Sequence, residues 1–77
     1  EIDVRGHNIE EAWIKVEKFL DDCYLAGVSP VRIIHGKGTG VLRKGLQAYL
    51  KRYKYVKSYR NGKFGEGEDG VTVCELK

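Results

Sequence analysis

Residues 33–40 read Ile-Ile-His-Gly-Lys-Gly-Thr-Gly (IIHGKGTG). The run Val31 to His35 is apolar apart from Arg32, which suits a central, parallel strand. Three glycines then alternate with Lys37 and Thr39. Beyond them Leu42, Leu46, Tyr49, Leu50 and Tyr53 recur at helical spacing. A strand that passes through glycines into a helix is half of an α/β unit, and it frames the segments on either side.

Upstream, Ile2 and Val4 alternate with Asp3 and Arg5, a short strand with one apolar face that Gly6 ends. Asn8 caps the next helix, with Glu10 and Glu11 favoured by the dipole of its first turn. Ile9, Ala12, Trp13, Val16, Phe19, Leu20 and Cys23 form one apolar stripe, so Trp13 reads as core. Gly27 is the natural C-cap, and Pro30 starts the next segment. In the second helix Gly45 lies on the apolar face, where a missing side chain allows close approach to the sheet. Tyr55–Arg60 reads as a third strand with Tyr55, Lys57 and Tyr59 on one side. Asn61–Gly70 (NGKFGEGEDG) reads as a mobile glycine-rich loop, and Val71–Leu76 as a fourth strand.

The order β-α-β-α-β-β over residues 1–77 predicts one small α/β (α+β) domain. It has two layers, a four-stranded mixed sheet with both helices on one face. Right-handed crossovers bring the C-terminal ends of the first two strands to one edge. Asp3, Arg5, His35 and the glycine segment meet there, at the edge where α/β sheets favour ligands.

Composition narrows the functional classes. No apolar run approaches the roughly 18 residues of a membrane span, and no signal-peptide pattern is present. The chain opens at Glu1 directly on a strand, as a piece of a longer protein would. Cys23 and Cys74 are distant and form no Cys-x-x-Cys pair, which argues against zinc and for two buried thiols. Charge is segregated. Residues 1–30 carry seven acidic and three basic side chains, residues 31–65 carry ten basic and no acidic ones, and residues 66–77 carry four acidic and one basic. A basic stretch interleaved with tyrosines points to a polyanion such as DNA or RNA. Its candidate contacts are Lys44, Lys51, Arg52, Lys54, Lys57, Arg60 and Lys63.

The glycine segment is neither a Walker A loop nor G-x-G-x-x-G. Its physical content is still that of an anion site. Gly36, Gly38 and Gly40 let the backbone approach a phosphate, and the N–H groups of a helix start favour one. Lys37 adds charge, and Thr39 can cap the helix or bond a phosphate oxygen. The plain alternative is a glycine turn dictated by backbone geometry. His35 can exchange a proton near neutral pH. Asp3 can orient it or hold a divalent cation, although one carboxylate makes a weak metal site, and no metal-ligating set is assigned. Arg5, on the same side of its strand as Asp3, can clamp a phosphate or stabilise a pentacovalent transition state. His7 reads as a loop residue.

Three motifs in this order resemble a known family. Ile2-Asp3-Val4-Arg5-Gly6 is similar to the Leu-Asp-Leu-Arg/His-Gly opening of the Smr (small MutS-related) domain. His35-Gly36-Lys37-Gly38-Thr39-Gly40 with Leu42-Arg43 resembles its His-Gly-x-Gly signature, and Gly65-x-Gly67 with Gly70-Val71-Thr72-Val73 its closing segment. The form with Arg5 is most like the C-terminal domain of the recombination-suppressing second branch of bacterial MutS proteins. The resemblance implies a fold like the C-terminal domain of translation initiation factor three. It implies an endonuclease that nicks DNA, with RNA cleavage or ribosome quality control in relatives. By motif position Asp3, Arg5 and His35 are catalytic, and Gly36, Lys37, Gly38, Thr39, Gly40 and Arg43 bind phosphate. No cofactor is expected for folding; Mg2+ or Mn2+ is a candidate for cleavage. Also implied are a bacterial cytosolic or nucleoid location and a homodimeric parent protein with an ATPase domain. With Arg5 in place of histidine, the core motif holds one histidine, so a two-histidine scheme is not expected. The rival expectation is a non-catalytic nucleic-acid or ribosome-docking module.

Overall fold

A computed structural model describes all 77 residues. β1 (Ile2–Asp3) lies parallel to β2 (Val31–Ile34), with Ile2 opposite Ile33 and Asp3 opposite Ile34. β4 (Val71–Leu76) runs antiparallel to β2, and β3 (Val56–Asn61) runs antiparallel to β4 at the far edge. The strand order is β1-β2-β4-β3. The last strand thus inserts between its two predecessors, which makes the sheet mixed and puts β2 next to its centre.

Alternation along the strands selects the face that is packed. Val31 and Ile33 of β2, with Cys74 and Leu76 of β4, enter one buried cluster with Val4 and Val56. The same cluster takes Ala12, Val16 and Leu20 from α1 (Ile9–Ala26) and Leu46 and Leu50 from α2 (Val41–Arg52). One shared core therefore places both helices on one face of the sheet, as expected. Leu46 and Leu50 are fully buried, so cutting either back to alanine costs about 2–5 kcal/mol. No helix is long and apolar enough to cross a membrane.

The end of α1 nearest the glycine segment is set by a reciprocal cap. Asn8 Oδ1 accepts from Glu11 N at 2.9 Å, and Asn8 N donates to Glu11 Oε1 at 3.2 Å, an arrangement that satisfies two orphan donors of the first turn. At the other end Gly27, at φ 71°, donates to the carbonyls of Cys23 and Tyr24.

Three local expectations are corrected. Gly45 makes room for α1 and not for the sheet: a Cβ there would stand 2.6 Å from Cδ1 of Ile9 and 2.8 Å from its Cγ1. β3 does not keep strict alternation. A register shift between Val56 and Ser58 absorbs one residue, so Val56 and Tyr59 share the core face while Lys57 is exposed.

The loop after β3 is tied down. Glu66 takes two hydrogen bonds from the Arg60 guanidinium, at 2.8 and 3.2 Å, and one from Lys63 N at 2.8 Å. These donors hold its carboxyl at about 2. Arg32 donates to the Glu66 carbonyl at 3.1 Å, and Gly62 N reaches the carbonyls of Glu68 and Val71. A 3-10 turn, Glu68–Gly70, then leads into β4.

Candidate active site

β2 ends at Ile34, and the chain does not enter α2 until Val41. The six residues between are shaped by backbone conformation. Gly36, Gly38 and Gly40 all have positive φ, at 82°, 37° and 84°. A side chain in the left-handed helical region costs roughly 1–2 kcal/mol per residue, so the alternation of glycines in this stretch is a conformational requirement. His35 N and Gly36 N both donate to the Gly70 carbonyl at 3.0 Å, which fastens the start of the segment to the entry of β4. Gly40 is the N-cap of α2 and offers no side-chain cap; Thr39 Oγ1 is only a long 3.4 Å from Val41 N.

The segment walls an open cavity of about 440 Å³, lined by His35 to Arg43 on one side and Gly6 to Ile9 on the other. Only three of its thirteen lining residues are hydrophobic. The N–H groups of an uncapped helix start carry partial positive charge, and Arg43, which has no carboxylate partner, adds a full one. Lys37 is less free than the sequence suggests: its Nζ is 3.1 Å from Glu68 Oε2.

His35 is buried, at 5% exposure. Its Nδ1 is 3.0 Å from the Gly36 carbonyl and its Nε2 is 2.8 Å from Thr72 Oγ1. A nitrogen that faces a carbonyl must carry the hydrogen, so Nδ1 is the donor and Nε2 accepts from the Thr72 hydroxyl. Thr72 Oγ1 in turn accepts from Gln47 Nε2 at 3.0 Å, and the same amide donates to Asn61 Oδ1 at 2.9 Å. Burial pushes the imidazole below its ordinary value of 6.5; the Gly36 carbonyl opposes this and the Arg43 charge adds to it. The ring is therefore neutral at pH 7, with both nitrogens engaged.

Asp3 and Arg5 pair with each other. Arg5 Nε lies 3.0 and 3.1 Å from the two Asp3 oxygens, Nη2 lies 2.7 Å from Oδ2, and Arg5 N donates to Oδ1 at 3.0 Å. These bonds from Arg5 hold the Asp3 carboxyl below its usual range. Asp3 makes no hydrogen bond to His35, which removes the orienting role expected for it. The aliphatic stem of Arg5 lies against Gly36, with Cγ 3.4 Å and Cδ 3.5 Å from where a Cβ would stand. The pair thus backs the glycine wall without lining the cavity. No three His, Cys, Asp or Glu side chains gather anywhere in the chain, and both Asp3 oxygens face Arg5. These residues do not build a site for Mg2+ or Mn2+.

The seven residues expected to contact nucleic acid are all exposed. Arg60 is engaged by Glu66, whereas Lys44, Lys51, Arg52, Lys54, Lys57 and Lys63 have no carboxylate partner. Lys51 of α2 and Lys57 of β3 border one groove, and Lys54 sits 5.0 Å over the Tyr55 ring. The tyrosines mostly face each other: Tyr24 stacks on Tyr55, Trp13 stacks on Tyr49, and Tyr53 meets Trp13 and Tyr55 edge-on. Sequence reasoning passed over Gln47 and read His7 as a loop residue, whereas it lines the cavity. Gln47 gives no signal, because its partners lie on β3 and β4. His7 stands two residues beyond Arg5, and that period-two spacing was its one signal.

Comparison with known proteins agrees with this geometry. The family profile described as Smr domain matches residues 2–77. "Endonuclease MutS2" of Acetivibrio thermocellus is 64% identical over all 77 residues, and that of Caldanaerobacter subterraneus is 57% identical over 75. The chain spans about 10% of the length of each of these relatives. The crystal structure of the Smr domain of Thermus thermophilus MutS2 superposes with a TM-score of 0.94 at 41% identity, covering 97% of this chain and 94% of that one. YdaL, a stand-alone small MutS-related protein of Escherichia coli, shares the fold at TM-score 0.87 and 21% identity, with 100% of this chain and 68% of that one covered. With its opening motif, glycine segment and closing strand all in place on this fold, the chain belongs to the Smr domain family.

Proposed function

We propose that this chain is the nucleic-acid-cleaving domain of a longer MutS2-type protein, and that it nicks DNA by hydrolysing a phosphodiester bond. The observation that carries the reading is the glycine-walled cavity of about 440 Å³, lined by the start of α2, which has no side-chain cap, and by Arg43. Phosphate contacts position a duplex without reading its sequence, so the docking is sequence-tolerant. The exposed lysines of α2 and β3 continue the positive surface along the duplex. Arg5, fixed by Asp3 against Gly36, keeps the glycine wall and its N–H groups in place. His35 does the same from beneath: a neutral ring bonded at both nitrogens is a positioning residue, not a proton carrier.

The satisfied state of His35 and of Asp3 also favours a second reading, a docking module that holds DNA, RNA or the ribosome without cleaving. The two readings separate in one experiment. The chain is incubated with supercoiled plasmid and with structured RNA, in magnesium, manganese or a chelator, beside a binding titration on the same preparation. Nicking by wild type that falls together with binding in Arg43→Ala supports the nuclease. Binding without cleavage under every condition supports the docking module.

A further inference from the structure

Two imidazoles line the cavity, and they differ in what they have left to offer. Both nitrogens of His35 are bonded inside the protein. His7, in the turn after β1, is half-buried. Its Nδ1 lies 3.2 Å from the Val4 carbonyl, which also accepts from His7 N at 3.3 Å. Facing a carbonyl, Nδ1 carries its hydrogen. Nε2 is bonded by no protein group, although the ring belongs to the cavity wall. The neighbouring polar groups are committed or unsuited to proton exchange. Asn8 serves the helix cap, Lys37 is paired with Glu68, and the guanidinium of Arg43 keeps its protons in proteins. Imidazole is the side chain that gains and loses a proton near neutral pH.

We infer that His7 is the general acid of phosphodiester cleavage at this cavity, giving its Nε2 proton to the leaving sugar oxygen. The inference rests on the endonuclease reading above. In the step, a water oxygen forms the new bond to phosphorus and releases a proton to solvent. The bond from phosphorus to the leaving oxygen breaks, and that oxygen keeps the electron pair. It takes the proton from Nε2, and the ring recovers a proton from solvent. The bond from Nδ1 to Val4 fixes which nitrogen faces the substrate.

The test uses His7→Asn, whose amide can still donate to the Val4 carbonyl, and His7→Gln as a second variant should the first not fold. Folding is checked by circular dichroism and Trp13 fluorescence. Nicking of plasmid should fall by about 10²–10⁴-fold, with binding within about twofold. Duplexes are then made with sulfur in place of the 3′ or the 5′ bridging oxygen of one linkage. A thiolate is a far better leaving group than an alkoxide because thiols ionise near pH 8.5. The variant should therefore approach the wild-type rate, within about tenfold, on the linkage whose leaving atom is sulfur. Wild-type nicking by both variants overturns the inference, as does an equal loss on oxygen and both sulfur linkages, which is the signature of a structural role. A wild-type chain that binds but cuts nothing overturns the endonuclease reading, and this inference with it.

Discussion

His35 Nε2, just beyond β2, and Thr72 Oγ1 of β4 are 37 residues apart in the chain and lie 2.8 Å apart. Thr72 is fully buried, and its hydroxyl both donates to His35 and accepts from Gln47. Thr72→Val keeps the shape, leaves the buried His35 Nε2 without a partner and leaves the half-buried Gln47 amide with only Asn61. The expected cost is about 1–3 kcal/mol, read by urea unfolding with Trp13 fluorescence. Thr72→Ser, which retains the hydroxyl, should be clearly less damaging. Equal losses in the two variants would mean that packing of the methyl group, and not the hydrogen bond, carries the site.

The same ring should make stability depend on pH. Burial lowers the folded-state value of His35 from 6.5. The unfolded chain takes up the proton as pH falls through 6.5, while the folded state resists until lower pH. The unfolded state thus binds more protons in that interval, and stability falls as pH falls. The contribution is complete above pH 6.5 and declines below it. Melting midpoints between pH 7.5 and 5.0 should drop for wild type, and more steeply than for His35→Gln. That range stays above the window of Glu66, whose carboxyl titrates from 4.5 in the unfolded chain to about 2 in the folded one. Parallel curves for the two proteins would remove His35 as the source.

Gly45 supports a prediction of sign. In an exposed helix, Gly→Ala stabilises by about 1 kcal/mol. Here the new methyl meets Ile9 at 2.6 Å, and overpacking costs about 1–3 kcal/mol. Gly45→Ala should therefore destabilise the wild-type chain. In an Ile9→Ala background, where the two close carbons are gone, the same change should stabilise. A double-mutant cycle in chemical denaturation measures the coupling; additive effects would show that the helices separate without resistance.

Docking through α2 and β3 predicts a steep loss of duplex affinity with added salt, because lysine and arginine contacts release condensed counterions. Replacing Lys51, Arg52, Lys54 and Lys57 by glutamate should weaken binding to all sequences alike and flatten the salt slope. Fluorescence anisotropy at several ionic strengths reads both. Insensitivity to salt and to the replacement would place the docking face elsewhere.

Some of this was settled by local chemistry that needs no partner distant in the chain. The helix cap at Asn8, the stop at Gly27, the strand–glycine–helix order around His35 and the apolar stripes of both helices depend on neighbours within a few residues. Backbone conformation and helical periodicity act at that range, so the element order and the two-layer class could be read directly. Tertiary structure decided what those elements do to one another. It gave Asp3 to Arg5 and not to His35, because the Arg5 stem packs on Gly36 and turns its fork back along β1. It set β4 between β2 and β3, which delivered Thr72 to His35 and closed its Nε2. The same packing left His7 on the cavity wall with one nitrogen free. Hydrogen bonds between side chains far apart in sequence depend on strand order and register, and neither is written in the spacing of any single motif.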